Sequence, residues 1–256
     1  MNILYSVAEG VASVTLNRPE KLNAWTAAME QEFTAAVRGA ESDAAARVIL
    51  VRGAGRAFCA GADMSLLQDA AAGGGIPLAS RAGEPIRRHA WLMDVAKPIV
   101  AAIHGPAVGL GFILPLYCDL RVAAPEATFC SIFSRRGLTA EFGAAWILPR
   151  LVGQTNAMDL LLTSRTLDAA EALRIGLVSR ILPASEFDAF ARDLAASVSP
   201  RSTAVIKRQV RAAQFQTFTE AYDAGSEEMR QSLQCADFRE GVAHFIEKRP
   251  PRFTGK

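Results

Sequence analysis

Two stretches decide how this chain is read: Arg56–Asp63 (RAFCAGAD) and Ala102–Gly111 (AIHGPAVGLG). Each follows a run of strand character, passes through small residues and ends where a helix can begin. Small residues let a ligand approach the main chain, and a helix start presents unpaired N–H groups with a partial positive field. Two such ends brought together would hold an oxyanion through backbone donors alone. The same pattern also describes tight turns that merely pack strands on helices.

Working outward, Ile3–Val7 and Val11–Leu16 read as a hairpin turning at Glu9 and Gly10, and residues 17–19 (NRP) break it. Thr26 opens a helix with Met29, Phe33, Ala36, Val37 and Ala40 on one face. Val48–Val51 is a short buried strand ending at Gly53 and Gly55, and Asp63 caps a further helical stretch. Ala70–Pro77 (AAAGGGIP) reads as a mobile loop, and a helix is expected near Arg81–Val95. Pro98–Cys118 lacks Asp, Glu, Lys and Arg and is long enough to span a bilayer, but His104, Gly105, Pro106, Gly109, Gly111 and Pro115 divide it. It is read instead as the strand Pro98–Ile103, a turn and a short buried helix. Leu120–Ala123 and Ala127–Cys130 are strand-like. Thr139–Leu151, Asn156–Leu162 and Ala169–Ile175 are expected as helices, with strand character at Leu177–Leu182. From Ser185 to about Lys248 the pattern is helical. Alternating strands and helices give an α/β class, with a boundary near residue 199 separating 1–198 from a helical 199–256.

The 256 residues carry 28 basic and 26 acidic side chains, a formal charge of +2, which argues against nucleic acid as a partner. Cys59, Cys118, Cys130 and Cys235 have no metal-ligand spacing and read as small hydrophobes in a reducing compartment. The start, MNILYSVAEG, shows no secretory signal, so a cytoplasmic location without membrane association is expected. Phe58 stands where a third dinucleotide-fold glycine would be, and neither a phosphate-binding lysine loop nor a G-x-S-x-G elbow occurs. His89 is read as a helix-surface residue, His104 as a turn residue, and His244 as solvent-facing.

The two opening stretches, together with Val14–Ala24 (VTLNRPEKLNA), Thr166–Arg180 (TLDAAEALRIGLVSR) and Phe245–Lys256 (FIEKRPPRFTGK), resemble the enoyl-CoA hydratase/isomerase (crotonase) family from end to end and in the family order. The resemblance implies a crotonase-like spiral of repeated ββα units, followed by a helical C-terminal region that builds trimers or dimers of trimers. It implies an acyl-CoA thioester as substrate and no separate cofactor. Carried over by motif, the oxyanion-hole amides fall on Ala62 and Leu110, and substrate-binding positions on Ala24, Ala60, Asp63, Met64, Gly109 and Phe133. Read from their charge, the basic tail residues Lys248, Arg249, Arg252 and Lys256 are candidates to meet CoA phosphates across a subunit boundary, the alternative being a solvated surface.

The chain departs from the family at the carboxylates. The two hydratase glutamates would fall at Ile113 and Phe133, neither of which handles a proton. Glu141, in Arg135–Pro149 (RRGLTAEFGAAWILP), falls where some dienoyl-CoA isomerases, ring-opening isomerases and aryl-CoA dehalogenases carry a catalytic aspartate. Thr139 would cap its helix, placing Glu141 in the first turn, where the helix field favours the ionised form. Acidic residues also occupy first turns simply to complement that field. Phe133 and Trp146 are candidates for the acyl pocket, with core packing the alternative for Trp146. The expected activity is a double-bond shift with Glu141 as acid/base. The alternatives are hydration using Glu141, an acyl-CoA-binding protein without catalysis, and thioester hydrolysis.

Overall fold

The computed structural model describes residues 1–74 and 88–256. The hairpin forms as read: β1 (Ile3–Ala8) runs antiparallel to β2 (Val11–Leu16), and Glu9 and Gly10 take φ of 49° and 80° at the turn. Two successive positive φ values match the right-handed twist of the flanking strands. β3 (Val48–Gly53), β4 (Ile99–Ile103), β6 (Leu120–Ala123) and β9 (Arg180–Ile181) then add in parallel, giving a sheet of order β1-β2-β3-β4-β6-β9. Residues 48–51 of β3 and all of β4 are buried on both faces, which explains their unbroken apolar runs. On one face Ile49, Val51, Ile99, Ala101 and Ile103 join the main core with Met29, Phe33 and Val37 of α1 (Ala27–Ser42). The alternate residues Val48, Leu50, Val100 and Ala102 meet Phe187, Ala191 and Ala195 of α7 (Phe187–Ser197).

A second sheet is smaller: β5 (Pro106–Val108), β7 (Thr128–Cys130) and β8 (Leu167–Asp168). Single parallel bridges, Cys59 with Ala107 and Trp25 with Ala62, extend it past β5. A repeat thus emerges. Each long strand of the first sheet is followed by a short strand or bridge in the second and then a helix. The units are β2–Trp25–α1, β3–Cys59–α2 (Met64–Asp69) and β4–β5–α3 (Leu110–Leu116). This is the expected ββα spiral, and it delivers the segments after β3 and β4 side by side. The stretch 98–118 is β4, β5 and the seven-residue α3, and among the described residues no helix is long and apolar enough to cross a membrane.

The second half departs from expectation in detail. α4 begins at Ala144 (Ala144–Val152), not at Thr139, because Phe142 and Gly143 adopt φ of 48° and 76° and break any helix through them. Thr139 therefore caps nothing. α5 (Gln154–Thr163) and α6 (Ala169–Arg174) form near their expected places, whereas the strand character at 177–182 is realised only in β9. α8 (Pro200–Ala212) starts on the Ser199 cap, and α9 (Phe218–Ser232) and α10 (Ala236–Glu247) complete the chain. The loop read at 70–77 lies outside the described residues beyond Gly74, as does the helix read at 81–95 before Arg88. Ala90–Asp94 is a 3-10 turn.

Candidate active site

Asn23 holds the first of the two deciding loops in place. It is fully buried with φ of 55°, a conformation asparagine tolerates better than most residues. Its side-chain amide donates to the carbonyls of Ala54, Ala57 and Phe58 at 2.9, 2.8 and 3.2 Å, while its oxygen accepts the Arg18 amide at 2.8 Å. Arg18 in turn reaches the Ala24 carbonyl and the Asp63 carboxylate, at 2.5 and 2.9 Å. Asp63 caps α2 as read, accepting from the Ser65 amide, and these contacts hold its carboxyl below the usual range.

The second loop lies directly alongside the first. The Cys59 amide donates to Pro106 and the Val108 amide donates to Cys59, at 3.1 and 2.9 Å. The fit is close enough that a Cβ on Gly61 would stand 2.9 Å from the Val108 carbonyl oxygen, and one on Gly111 would stand 2.1 Å from the Cys59 carbonyl oxygen. Gly61 and Gly109 also take positive φ, of 97° and 55°. Only glycine permits this approach. At the point of convergence the amides of Ala62 and Leu110 donate to no acceptor among the described residues. Leu110 is the first residue of α3, so its amide has no partner within the helix.

Both residues line a cavity of about 740 Å³, and the remaining expected positions line it too: Ala24, Ala60, Asp63, Met64, Gly109, Phe133 and Glu141. Phe133 is an apolar wall, 2% exposed. Ile113 is fully buried inside α3 and takes no part in the lining. Glu141 sits in the turn before α4, outside the helix, and so does not occupy the expected first turn. Burial instead raises its carboxyl above the ordinary value, against a smaller opposing pull from Arg88. That turn is held from below, where the Tyr117 hydroxyl donates to the Phe142 carbonyl.

Several contributors were invisible in the sequence. Trp25, Arg88, Ile132, Leu138 and Phe142 line the cavity, with Lys21 and Arg136 supplying further positive charge. Trp25 could have been found from its place directly after the Asn23–Ala24 pair; Arg88 carried no such signal. His89 is not a surface residue: it is fully buried edge-on to Trp25, ring centroids 4.8 Å apart, and burial pulls its pKa down to about 3. His104 is a turn residue as read, its Nε2 2.8 Å from the Gly55 carbonyl oxygen. His244 is half-buried against Phe253 rather than solvent-facing. Trp146 does not line this cavity; it packs partly buried against the main core and stacks on Phe215 at 5.6 Å, with the Arg150 guanidinium 4.0 Å from its ring centroid. The basic tail residues do not line the cavity, and Arg249 is committed to Glu240 and Glu247 at 2.5–2.9 Å. Cys59 is buried behind the site with its thiol pushed up to about 12, so it is no nucleophile.

Two free main-chain donors thus share a cavity with the Glu141 carboxyl, a set that can hold an enolate oxygen and move a proton beside it. The family model for enoyl-CoA hydratase/isomerase matches residues 6–256. The chain belongs to the enoyl-CoA hydratase/isomerase family. It is 37% identical to a probable enoyl-CoA hydratase of Rhodobacter capsulatus, over 99% of this chain and 98% of that one. It is 34% identical to the 1,2-epoxyphenylacetyl-CoA isomerase of Escherichia coli, over 99% and 98% of the two chains. Among solved structures, a probable enoyl-CoA hydratase/isomerase from Mycobacterium abscessus superposes with a TM-score of 0.88 at 32% identity, covering 99% of both chains. The crotonase-like fold and an acyl-CoA substrate follow from membership. The choice between the family's reactions turns on the side chains of this cavity.

Proposed function

We propose that this family member shifts a double bond in an acyl-CoA thioester, with Glu141 as its acid/base and the amides of Ala62 and Leu110 as its oxyanion hole. The observation that carries the reading is the meeting of those two unpaired amides with the half-buried Glu141 carboxyl in one cavity, whose other half-buried carboxyl, Asp63, is paired with Arg18. The thioester carbonyl accepts both amides, and removal of a proton from C2 or C4 builds negative charge on that oxygen. Two such donors, fixed beforehand, stabilise the enolate by about 3–4 kcal/mol each. One carboxylate can take the proton from one carbon and return it to the other, which needs no second acid. Two-glutamate water addition is disfavoured because apolar Ile113 and Phe133 occupy the positions where the family's hydratases carry their glutamates.

The raised Glu141 carboxyl suits this role, since a base that must also give the proton back works best when neither form dominates strongly. Glu141→Gln is expected to lower turnover of enoyl-CoA substrates at least about tenfold while acyl-CoA still binds. Unchanged turnover would reject the assignment.

Assembly belongs to the same reading. The helices α8–α10 expose Phe215, Phe218, Phe245 and Ile246, Phe218 by 84%. An apolar surface of that extent marks a contact between copies, and a homotrimer or a dimer of trimers in the cytoplasm fits the family. Light scattering that returned only monomer would contradict it.

A further inference from the structure

The turn that carries Glu141 is gripped from two sides, and the second grip comes from a charged pair that the proposed reaction leaves unused. Arg88 lines the cavity with its side chain 16% exposed, and its guanidinium lies over the Phe142 ring, 5.0 Å from the centroid. Phe142 is the residue next to Glu141. The Arg88 Nε lies 3.3 Å from the Glu30 carboxylate. Glu30 is fixed in turn by the Trp25 indole, whose Nε1–H donates to it at 2.7 Å. Trp25 is itself nearly fully buried, packed between Phe33 and His89. The chain of contacts therefore runs from the core, through Trp25 and Glu30, to Arg88 and onto the catalytic turn. On the other side, Tyr117 hydrogen-bonds the Phe142 carbonyl.

We propose that Arg88 is a positioning residue for Glu141: anchored by Glu30, its guanidinium lies on Phe142 and fixes both the place and the charge of the neighbouring carboxyl. The inference rests on the reading of Glu141 as the acid/base. An arginine suits the task because it stays charged at every working pH and its planar face stacks on a ring while its edge serves a carboxylate. The charged groups around Glu141, among the described residues, support this assignment. Lys21, Asp63, Asp69 and Arg136 also line the cavity, and among the described residues Arg88 is the cation whose attraction opposes the effect of burial on Glu141. Asp63 is already neutralised by Arg18. Glu30 is a further carboxylate near the pair, buried enough that its own pKa is raised, and it does not line the cavity.

That geometry makes two substitutions act in opposite directions. Arg88→Met keeps an unbranched apolar stem and removes the charge, so the carboxyl of Glu141 loses the attraction of the Arg88 guanidinium and its pKa rises. Glu30→Gln keeps an acceptor for the Trp25 indole but removes the charge that partly neutralises Arg88, so the pKa of Glu141 falls. Arg88→Lys restores the charge without the planar face and returns the value toward wild type.

The test is a carboxyl-carbon NMR titration of protein labelled at glutamate, with the Glu141 signal assigned by its loss in Glu141→Gln. It is run without substrate on wild type, Arg88→Met, Arg88→Lys and Glu30→Gln. The expected result is an upward shift in Arg88→Met, recovery in Arg88→Lys and a downward shift in Glu30→Gln. A Glu141 midpoint that stays put in Arg88→Met, or moves the same way in Arg88→Met and Glu30→Gln, overturns the proposal. Should Arg88→Met not fold, the downward shift in Glu30→Gln alone decides. The acidic limb of the kcat/KM profile is measured on the same proteins. A limb that fails to follow the NMR midpoint would reject Glu141 as the acid/base while leaving the control by Arg88 intact, so the two failures are separate.

Discussion

Gly111→Ala tests whether the close approach of the two loops builds the oxyanion hole. A Cβ at residue 111 would lie 2.1 Å from the Cys59 carbonyl oxygen and 2.7 Å from its carbonyl carbon and Cβ. The obstruction is backbone, so no rotamer change relieves it; the loop carrying Cys59 must retreat by on the order of 1 Å. That retreat carries Ala62, three residues on, away from Leu110. Overpacking of this kind costs about 1–3 kcal/mol of stability, and misplacing one oxyanion donor costs about 3–4 kcal/mol of transition-state energy. The expected outcome is kcat lowered by roughly 10²–10³, with binding of a saturated acyl-CoA weakened much less, since that ligand develops no oxyanion. Thermal unfolding sets a temperature at which the variant is folded, and steady-state kinetics and calorimetric binding are measured there. Gly39→Ala is the control: Gly39 is exposed in α1 with nothing within 4 Å of the added carbon, and alanine there gains about 0.5–1 kcal/mol. A folded Gly111→Ala protein with kcat within about threefold of wild type would refute the reasoning, because the distance that defines the hole would then not matter to catalysis.

Three further outcomes follow from buried groups. Asn23→Ala leaves three loop carbonyls without their donor and places alanine at a φ of 55°, so a loss of about 2–3 kcal/mol is expected in denaturant unfolding. Glu141→Gln should stabilise the protein at neutral pH while lowering turnover. The folded carboxyl holds its proton more tightly than the unfolded one, so wild-type stability falls as pH rises through the raised value, and the gain in the variant should vanish below the ordinary carboxylate range. His89 behaves in the opposite sense. Its pKa is lowered to about 3 from 6.5, so its contribution is complete above pH 6.5 and is lost as pH falls toward 3. His89→Phe should flatten the acid side of the stability curve, by up to about 1.4 kcal/mol per pH unit.

The parts of this molecule that could be read from its sequence are those governed by local rules. The two-residue periodicity of the strands, the Thr26 cap and the small-residue loops at 56–63 and 102–111 each act over a few neighbours, and each formed as read. The cavity lining at Ala24, Ala60, Ala62, Gly109 and Leu110 was legible only through the family resemblance carried by those motifs. What failed depended on context. The helix expected from Thr139 has a continuous apolar pattern, but Phe142 and Gly143 take left-handed conformations that end it early. Glu141 consequently lies before the helix, and its carboxyl is raised by burial where the sequence suggested ionisation. His89 and Arg88 are adjacent polar residues that look exposed on paper. Only the packing of Trp25, Phe33 and Phe142 around them reveals one as buried and the other as a cavity wall. Trp146 packs against the core as one of its two readings had it, while its stack on Phe215, a partner distant in the chain, had no local signal.

The most direct test of the central claim is to incubate the protein with a 3-enoyl-CoA thioester in heavy-oxygen water and follow the acyl chain by chromatography and mass. A single carboxylate shuttling a proton between C2 and C4 predicts conversion to the 2-enoyl isomer with no uptake of heavy oxygen, and loss of that conversion in Glu141→Gln. Heavy oxygen appearing in the acyl chain, or isomerisation that survives the substitution, would contradict it.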